Sequence, residues 1–418
     1  MAREKMTSTS RRSRGVGSRS SWRLRRSWIV VIAALSLVSA GAVAAAVSPN
    51  GSASSGTSTP LSPHDATTWS IPSTEANAPI VLAPGGAEGN SGNFNAVACS
   101  SASYCVAVGG DGTFQGVAGL SSAGGTSWVA GTVASGLPDL EALSCSTVLK
   151  CVAVGQGATV VTIDGGQTWT AHAIPSPDTT LLGVSCYNST HCVAVGVSPG
   201  DNGPYNGDVL VTSDGGTTWT VPTVPSGSGA LGSVACASAT LCVAVGASVL
   251  VSTNGGGTWS ARSVAGGTGV LRSVSCSAST CVAIGANPLA TQDPSAMAYA
   301  IVTQDAGATW SQATMPPGSG NLFALSCVTA LKCVAAGSST SGGPAIVVSS
   351  NDGGATWSVN ASFKLSVDAV SAISCSSATA CLFLGRAGQS AVAVASSNGV
   401  ATTSSSVTSL VRAQEVRS

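Results

Sequence analysis

Residues 181–196 read LLGVSCYNSTHCVAVG, and after a short loop residues 208–221 read DVLVTSDGGTTWTV. Two apolar runs flank the cysteine pair in the first segment, and two more flank the SDGG turn in the second. Short runs of Val, Leu and Ala that are bounded by Gly, Asp, Asn and Ser are typical of β-strands joined by tight turns. The stretch therefore predicts four consecutive antiparallel strands, which we call a, b, c and d.

The same order recurs along the chain, and cysteines set its register. Successive first cysteines are 46, 41, 50, 40, 51 and 48 residues apart. A four-strand repeat of this length is typical of a β-propeller blade. The fourteen cysteines form seven close pairs, namely Cys99/Cys105, Cys145/Cys151, Cys186/Cys192, Cys236/Cys242, Cys276/Cys281, Cys327/Cys333 and Cys375/Cys381. The sequence thus predicts an all-β, seven-bladed β-propeller with four-stranded antiparallel blades.

The turn between strands c and d resembles the Asp-box, or BNR, motif Ser/Thr-x-Asp-x-Gly-x-Thr-Trp. The Asp and Trp positions of the recurring turn are Asp164 and Trp169, Asp214 and Trp219, Asp305 and Trp310, and Asp352 and Trp357, with Asn254 and Trp259 as a variant. In the first unit Ala123 replaces the Asp. The resemblance implies that the Asp caps the hairpin through backbone N–H groups and that the Trp packs into the blade, a structural role. The alternative is that these Asp residues are catalytic or bind metal.

The resemblance covers residues 65–405 and is closest in style to the photosystem II assembly-factor-like group of BNR propellers. That likeness implies a fold and not a pathway. The seventh unit has no Trp, whereas residues 65–70, DATTWS, resemble the second half of an Asp-box at the other end of the chain. We therefore expect an amino-terminal strand to complete the seventh blade and close the ring.

Each cysteine pair lies where strand a turns into strand b, so the two Cβ atoms are expected to face each other across a hairpin. This geometry suits a disulfide. We predict seven local disulfides, with free buried thiols and metal binding as the alternatives. Structural zinc sites use other Cys spacings, and no His recurs beside the pairs.

The amino-terminal sequence predicts export. Nine of the seventeen basic residues lie in the first 26 positions, and an apolar run follows them. This run is either a cleaved signal peptide or a single membrane anchor. We divide the chain into a basic region at 1–26, a signal or transmembrane segment at 27–47, a Ser/Pro/Gly-rich linker at 48–64, the propeller at 65–408 and a tail at 409–418. We predict an extracytoplasmic protein, secreted or anchored to the cell membrane.

Charge argues against nucleic acid as a partner. Residues 27–418 carry eight basic and sixteen acidic residues, a net charge of −8, whereas phosphate neutralisation needs a basic surface. The three histidines are isolated and lack the context of a catalytic triad. The sequence indicates no cofactor, no metal and no catalytic residue.

Two features of the sequence predict where a ligand or partner binds. The b–c loops vary in length while the cysteine and Asp-box turns stay uniform, so the face with the variable loops, which holds Tyr205 and Tyr299, is the expected contact face. Four residues before each first cysteine, strand a reads Asn95, Glu141, Leu182, Gly232, Arg272, Phe323 and Ser371. Strand a lines the channel of a propeller, so Asn95, Glu141, Arg272 and Phe323 are candidate ligand- or partner-binding residues. The alternative is that they only cap individual strands.

These observations favour a noncatalytic binding or scaffold module that acts on an extracellular or envelope protein or glycan. The alternative is a glycoside hydrolase, sialidase-like or other, because sialidases also carry Asp-boxes. The resemblance to sialidases implies an arginine triad and a Tyr nucleophile activated by Glu. The repeat region holds only three arginines, Arg262, Arg272 and Arg386. A purely architectural role in the cell envelope is the third hypothesis.

Overall fold

The computed structural model describes residues 93–405, apart from 113, 201–204, 265–268, 288–297, 340–343, 362, 364, 366, 389 and 398–399. The described ranges contain strands and turns and no helix, so they hold no helix that is long and apolar enough to cross a membrane. The expected signal or anchor segment, the linker and the carboxy-terminal tail lie outside these ranges.

Seven small antiparallel sheets form the seven blades of a β-propeller, which confirms the predicted fold. Within each blade the strands follow chain order from the innermost to the outermost. The strands of blades one to three are β1 (Asn93–Cys99), β2 (Cys105–Gly110), β3 (Gly116–Ser121), β4 (Val129–Gly131), β5 (Leu140–Cys145), β6 (Cys151–Gly155), β7 (Ala158–Thr162), β8 (Thr170–Ala173), β9 (Thr180–Cys186), β10 (Cys192–Ser198) and β11 (Asn206–Thr212).

The strands of blades four to seven are β12 (Leu231–Cys236), β13 (Cys242–Gly246), β14 (Val249–Ser252), β15 (Ser260–Arg262), β16 (Val270–Ser277), β17 (Thr280–Ala286), β18 (Ala298–Thr303), β19 (Ser311–Gln312), β20 (Asn321–Cys327), β21 (Cys333–Ser338), β22 (Ile346–Ser350), β23 (Ser358–Val359), β24 (Ala369–Cys375), β25 (Cys381–Ala387), β26 (Ser390–Ser397) and β27 (Val400–Ser405). Blade three is the exception to four full strands. Its outermost position is a single bridge in which Val211 and Thr220 exchange two backbone hydrogen bonds of 2.9 Å.

The ring closes by packing between the first and last blades. Each inner strand contacts the inner strand of the next blade, and β24 in turn contacts β1. The outermost strand of the seventh blade is β27, so four strands from one continuous stretch of chain build this blade. The expected closing strand around Trp69 lies outside the described residues, and the fourth-strand position that we assigned to it is filled by β27.

The hydrophobic core is divided into clusters that lie between neighbouring blades. The cluster between blades two and three, for example, combines Val152 of β6 with Leu181 of β9 and Trp219. The described residues of the cluster between blades six and seven include no Trp. Phe363 packs edge-on against Phe383 there, with 5.2 Å between ring centroids. The Phe363–Phe383 pair is therefore the aromatic contact that the described residues supply at this interface.

All fourteen cysteines are paired in the seven predicted disulfides, which excludes free thiols and metal ligation by cysteine. The two cysteines of each pair face each other in the register of strands a and b, for example Cys186 and Cys192. Their Cα atoms lie 3.9–4.1 Å apart across the seven pairs. Each disulfide therefore fastens one a–b hairpin.

The fifth cysteine turn is one residue shorter than the other six, as the cysteine spacing in the sequence indicates. Cys276 and Cys281 are five positions apart instead of six, and strand pairing continues past them to Ser277 and Thr280. The shorter turn requires a positive φ of 55° at Ala278. The Cys281 side chain is also fully buried, at 0% exposure, in the core between blades four and five. The second cysteine of each other pair is buried in the same way, at 1–4% exposure, so this burial is shared by all seven disulfides.

The c–d turns are built around their Asp side chains. In blade three the Asp214 carboxylate accepts hydrogen bonds from Thr212 Oγ1 at 2.7 Å, from Thr218 N at 2.9 Å and from Thr218 Oγ1 at 2.6 Å. The Trp219 indole N–H donates to the Gly216 carbonyl at 3.1 Å. Gly215 N also donates to the Thr190 carbonyl in the cysteine turn, so both kinds of turn lie on one face of the propeller.

Serine hydroxyls link neighbouring blades at the inner strands. The backbone N–H of a first cysteine donates to the Oγ of the serine that precedes the first cysteine of the blade before it. The five links run from Cys99 to Ser374, Cys186 to Ser144, Cys236 to Ser185, Cys327 to Ser275 and Cys375 to Ser326, at 2.9–3.2 Å. Because the Cys99 link joins blades one and seven, this ladder also contributes to closure.

Candidate functional site

Every inner strand contains a β-bulge, and the extra residue of each bulge is the position that the sequence singled out. The register between strands a and b skips one residue in all seven blades. The skipped residues are Asn95, Glu141, Leu182, Gly232, Arg272, Phe323 and Ser371. A bulge leaves the extra residue outside the regular pairing and redirects its side chain. These seven residues form one ring around the channel, which we call the bulge ring.

A glycine at the end of strand b accommodates each bulge. A Cβ atom on Gly246 would lie 2.1 Å from the Ala230 carbonyl oxygen, and a Cβ on Gly285 would lie 2.0 Å from the Val270 carbonyl oxygen. The same contact, at 1.8–2.3 Å, occurs at Gly109, Gly155, Gly196, Gly337 and Gly385. The repeated sequence CVAVG carried this signal, because only glycine permits so close an approach of two backbones.

Asn95 and Glu141 form a polar pair between blades one and two. The Asn95 side-chain amide donates to the Leu140 carbonyl at 3.1 Å and to Glu141 Oε2 at 3.4 Å. Burial raises the pKa of Glu141 to about 7, and the negative charge of Asp139 adds to the shift. Glu141 is therefore a carboxyl group that changes charge near neutral pH.

Asp139 and Asp111 add negative charge near Glu141. Burial raises the pKa of Asp139, with a further contribution from the charge of Asp111. Asp139 Oδ1 is buried and has no hydrogen-bond partner. The described residues contain no group of three or more His, Cys, Asp or Glu side chains arranged to hold a metal ion.

Arg272 and Phe323 form a second pair, between blades five and six. The guanidinium carbon of Arg272 lies 5.2 Å from the centroid of the Phe323 ring, which is within the range of a cation–π contact. Arg272 Nε is buried and has no hydrogen-bond partner. Burial lowers the pKa of Arg272, and no neighbouring carboxylate offsets that effect. Arg272 is thus a cation without a counter-charge among the described residues.

The structure brings the four candidate residues into two pairs on different sides of the ring. No hydrogen bond or ion pair between described side chains joins one pair to the other. Two of the other three ring members offer little chemistry, since Leu182 is apolar and Gly232 has no side chain. Ser371 Oγ donates to the Phe94 and Leu384 carbonyls at 3.3 Å and so caps the backbone.

The two tyrosines of the variable loops have different surroundings. Tyr205 directly precedes β11 and is partly exposed. Its role as a contact residue stays a prediction. Tyr299 was expected on the contact face, but only 5% of its surface is exposed and it belongs to the core between blades four and five. The reason is its register, because it lies within β18 opposite Gly285 and its ring packs against Gly269.

The Asp side chains of the c–d turns lie on the opposite, uniform face. Hydrogen bonds from Thr218 lower the pKa of Asp214 to about 2, and those from Thr309 lower the pKa of Asp305 to about 2. Carboxylates that are so fully occupied by local donors are ionised acceptors within a turn. Their geometry matches the structural role that the sequence resemblance implies.

Comparisons with known proteins agree with the fold. No family model matches the sequence, and no curated protein matches it. Among solved structures, YCF48 from Cyanidioschyzon merolae is 15% identical, with 74% of this chain and 96% of that chain covered and a TM-score of 0.50. The GH74 enzyme of Niastella koreensis is 17% identical, with 79% and 55% covered and a TM-score of 0.52. The GH74 xyloglucanase of Xanthomonas campestris is 16% identical, with 78% and 55% covered and a TM-score of 0.51.

These neighbours place the chain among seven-bladed β-propellers of the kind that the BNR-type repeats predicted. The chain spans 55% of the length of the two GH74 enzymes. Because the neighbours include both YCF48 and enzymes, the likeness defines the fold and leaves the activity to be argued from the site.

Proposed function

We propose that this chain is an exported, noncatalytic binding module that contacts an extracellular or envelope protein or glycan through its bulge ring. The observation that carries the proposal is that all seven inner strands are bulged at one level, where four of the seven ring residues carry functional side chains. Binding residues are commonly presented by a rigid scaffold. Here disulfides and glycine-permitted bulges provide that scaffold.

Seven disulfides with no free cysteine support a location outside the cytoplasm. Disulfides persist in oxidising compartments and are rare in the cytosol. The basic amino terminus and the apolar segment that follows it agree with this location.

The binding proposal is tested with the full chain in mild detergent, immobilised and exposed to an envelope fraction and to purified cell-wall glycan. The test variant combines Glu141→Gln, Arg272→Gln and Phe323→Ala. A control variant combines Val129→Ala and Val359→Ala, two exposed positions on outer strands. We expect the wild type and the control variant to capture a specific envelope component or glycan. The ring variant should not capture it. Equal capture by both variants would exclude the bulge ring as the binding site.

One observation favours a glycoside hydrolase as the second candidate. Glu141 and Asp139 are neighbouring carboxyl groups with raised pKa values, and glycosidases use a carboxyl pair in which the general acid has a raised pKa. Incubation with sialyllactose and a panel of β-glucans, xyloglucan among them, distinguishes the two functions. We expect no sugar release. Release that disappears in both Glu141→Gln and Asp139→Asn would establish the hydrolase instead.

A further inference from the structure

The two sides of the bulge ring carry opposite charges, and this separation of charge indicates what kind of ligand the ring accepts. Glu141, with Asp139 and Asp111 nearby, makes one side acidic. Arg272, three blades further along the ring, is the basic member of the other side. A ligand that fits both sides carries a negative group for Arg272 and hydrogen-bond donors for the Asn95–Glu141 side.

Arg272 is a partly buried cation whose Nε has no hydrogen-bond acceptor among the described residues. A buried polar nitrogen without a partner costs free energy, and a buried cation is normally paired. Arg272 Nε is buried and unpartnered, while the Phe323 ring centroid lies 5.2 Å from the guanidinium carbon. A guanidinium fixed in this way keeps its N–H fork free to bind a planar oxyanion through two parallel hydrogen bonds.

A glycine occupies the bulge-ring position next to Arg272 on the side of blade four. The neighbouring ring position there is Gly232, and a Cβ added to it would meet no atom closer than the Leu271 carbonyl oxygen at 3.8 Å. The glycines that end the b strands, by contrast, have a backbone oxygen at 1.8–2.3 Å from an added Cβ. The ring position next to Arg272 therefore carries no side chain, although the backbone would tolerate one there.

A carboxylate fits this position better than a phosphate. One arginine supplies a single positive charge, which balances a carboxylate and leaves a dianion uncompensated. The acidic side of the ring also repels a second negative charge. The Phe323 ring adds an apolar surface for the carbon chain or ring that bears the carboxylate.

We infer that Arg272 and Phe323 form a carboxylate-binding subsite, and that the ligand of the bulge ring is an organic acid whose hydrogen-bond donors reach Asn95 and Glu141. This inference rests on the proposed binding function and names the chemistry of its ligand. Acylated amino acids and sugar acids both carry this chemistry.

Isothermal titration calorimetry on the full chain in mild detergent tests the subsite with two matched pairs of probes. Hippurate is compared with its carboxamide, and glucuronate with glucose, so the two arms distinguish an acylated amino acid from a sugar acid. We expect at least one acid to bind about tenfold more tightly than its neutral counterpart, a difference expected from loss of a charge-assisted contact. Inorganic phosphate is expected to bind more weakly than that acid.

Arg272→Gln should weaken binding of the acid about tenfold or more. Arg262→Gln is the matched control, because Arg262 lies on β15 and donates to the Gly307 carbonyl, away from the ring. Gly232→Leu is a second variant that keeps Arg272 but adds a bulky side chain at the neighbouring ring position, and it should weaken binding of the acid by a similar factor. Circular dichroism verifies that each variant is folded.

Three results would overturn the inference: no preference for either acid, acid binding that survives Arg272→Gln, or phosphate binding as tightly as the acid. The proposed function would still stand if capture of an envelope component remained sensitive to Glu141→Gln and Phe323→Ala. Loss of the ring dependence in the capture experiment would remove the proposed function as well. The two failures are therefore separable.

Discussion

At the scale of single residues, the burial of Glu141 disfavours ionisation of its carboxyl group. Its folded-state pKa of about 7 lies above the ordinary value of 4.5. The folded protein therefore binds a proton more tightly than the unfolded chain, so this group makes the protein less stable as pH rises from about 4.5 to 7. A residue that costs stability near neutral pH agrees with a role in binding.

Glu141→Gln should remove this pH dependence. We expect the variant to match the wild type in free energy of unfolding at pH 4 and to exceed it by about 3 kcal/mol at pH 8, because the amide carries no charge to bury. Urea unfolding at the two pH values measures the difference. Equal stability of the two proteins at pH 8 would contradict the raised pKa. Asp178→Asn, in the exposed connection before β9, serves as the control.

The two glycines of blade four provide a residue-scale test of the bulge. Gly246→Ala places a Cβ atom 2.1 Å from the Ala230 carbonyl oxygen, whereas Gly232→Ala meets nothing closer than 3.8 Å. We expect Gly246→Ala to lower the free energy of unfolding by about 2 kcal/mol or more, and Gly232→Ala to change it little. Denaturant titration compares the two variants. Similar losses in both would show that the bulge does not require glycine.

At the scale of the strands, the serine ladder connects blades that share no sheet. Ser326 Oγ accepts the Cys375 N–H at 3.2 Å across the interface between blades six and seven. Ser326→Ala leaves that N–H without its acceptor and should lower the free energy of unfolding by about 1 kcal/mol. Ser260→Ala is the control, because Ser260 is exposed on the short strand β15. A Ser326→Ala variant as stable as the control would show that water replaces the hydroxyl.

Strand positions and disulfides could be predicted because they depend on local periodicity. Cysteine spacing and alternation fix the hairpins within one repeat, and each of the seven pairs forms as expected. The burial of Cys281 and Tyr299 in one core could not be predicted, since it depends on how blades four and five pack. The interface between blades six and seven shows the same limit, because Phe363 reaches Phe383 from outside the repeat pattern.

The candidate site was predictable only in part, for a similar reason. The ring position could be read from the cysteine register, whereas its origin in a β-bulge depends on how strands a and b pair. The glycine that ends each CVAVG run was visible in the sequence as a repeat. Its purpose became apparent only from the approach of the two backbones.

At the scale of the whole molecule, the disulfides determine where this propeller can remain folded. Each closes a short loop and stabilises the fold by about 2 kcal/mol in the chain-entropy model. Seven such contributions together are comparable with the ~5–15 kcal/mol net stability of a typical domain. Among the described residues the ring closes by packing between blades one and seven, so weakening every hairpin weakens the closure too.

Reduction of all seven disulfides should therefore unfold the protein or bring it close to unfolding at 37 °C. Thermal melting followed by circular dichroism, with and without reductant, measures the effect, and a thiol count verifies complete reduction. A Cys145→Ser/Cys151→Ser variant is the single-bridge comparison, and it should lose only about 2 kcal/mol because six bridges remain. Coincident melting curves for the oxidised and fully reduced protein would contradict this account, because a fold that is equally stable without its disulfides would be equally suited to the cytoplasm. That outcome would also remove the main structural argument for export.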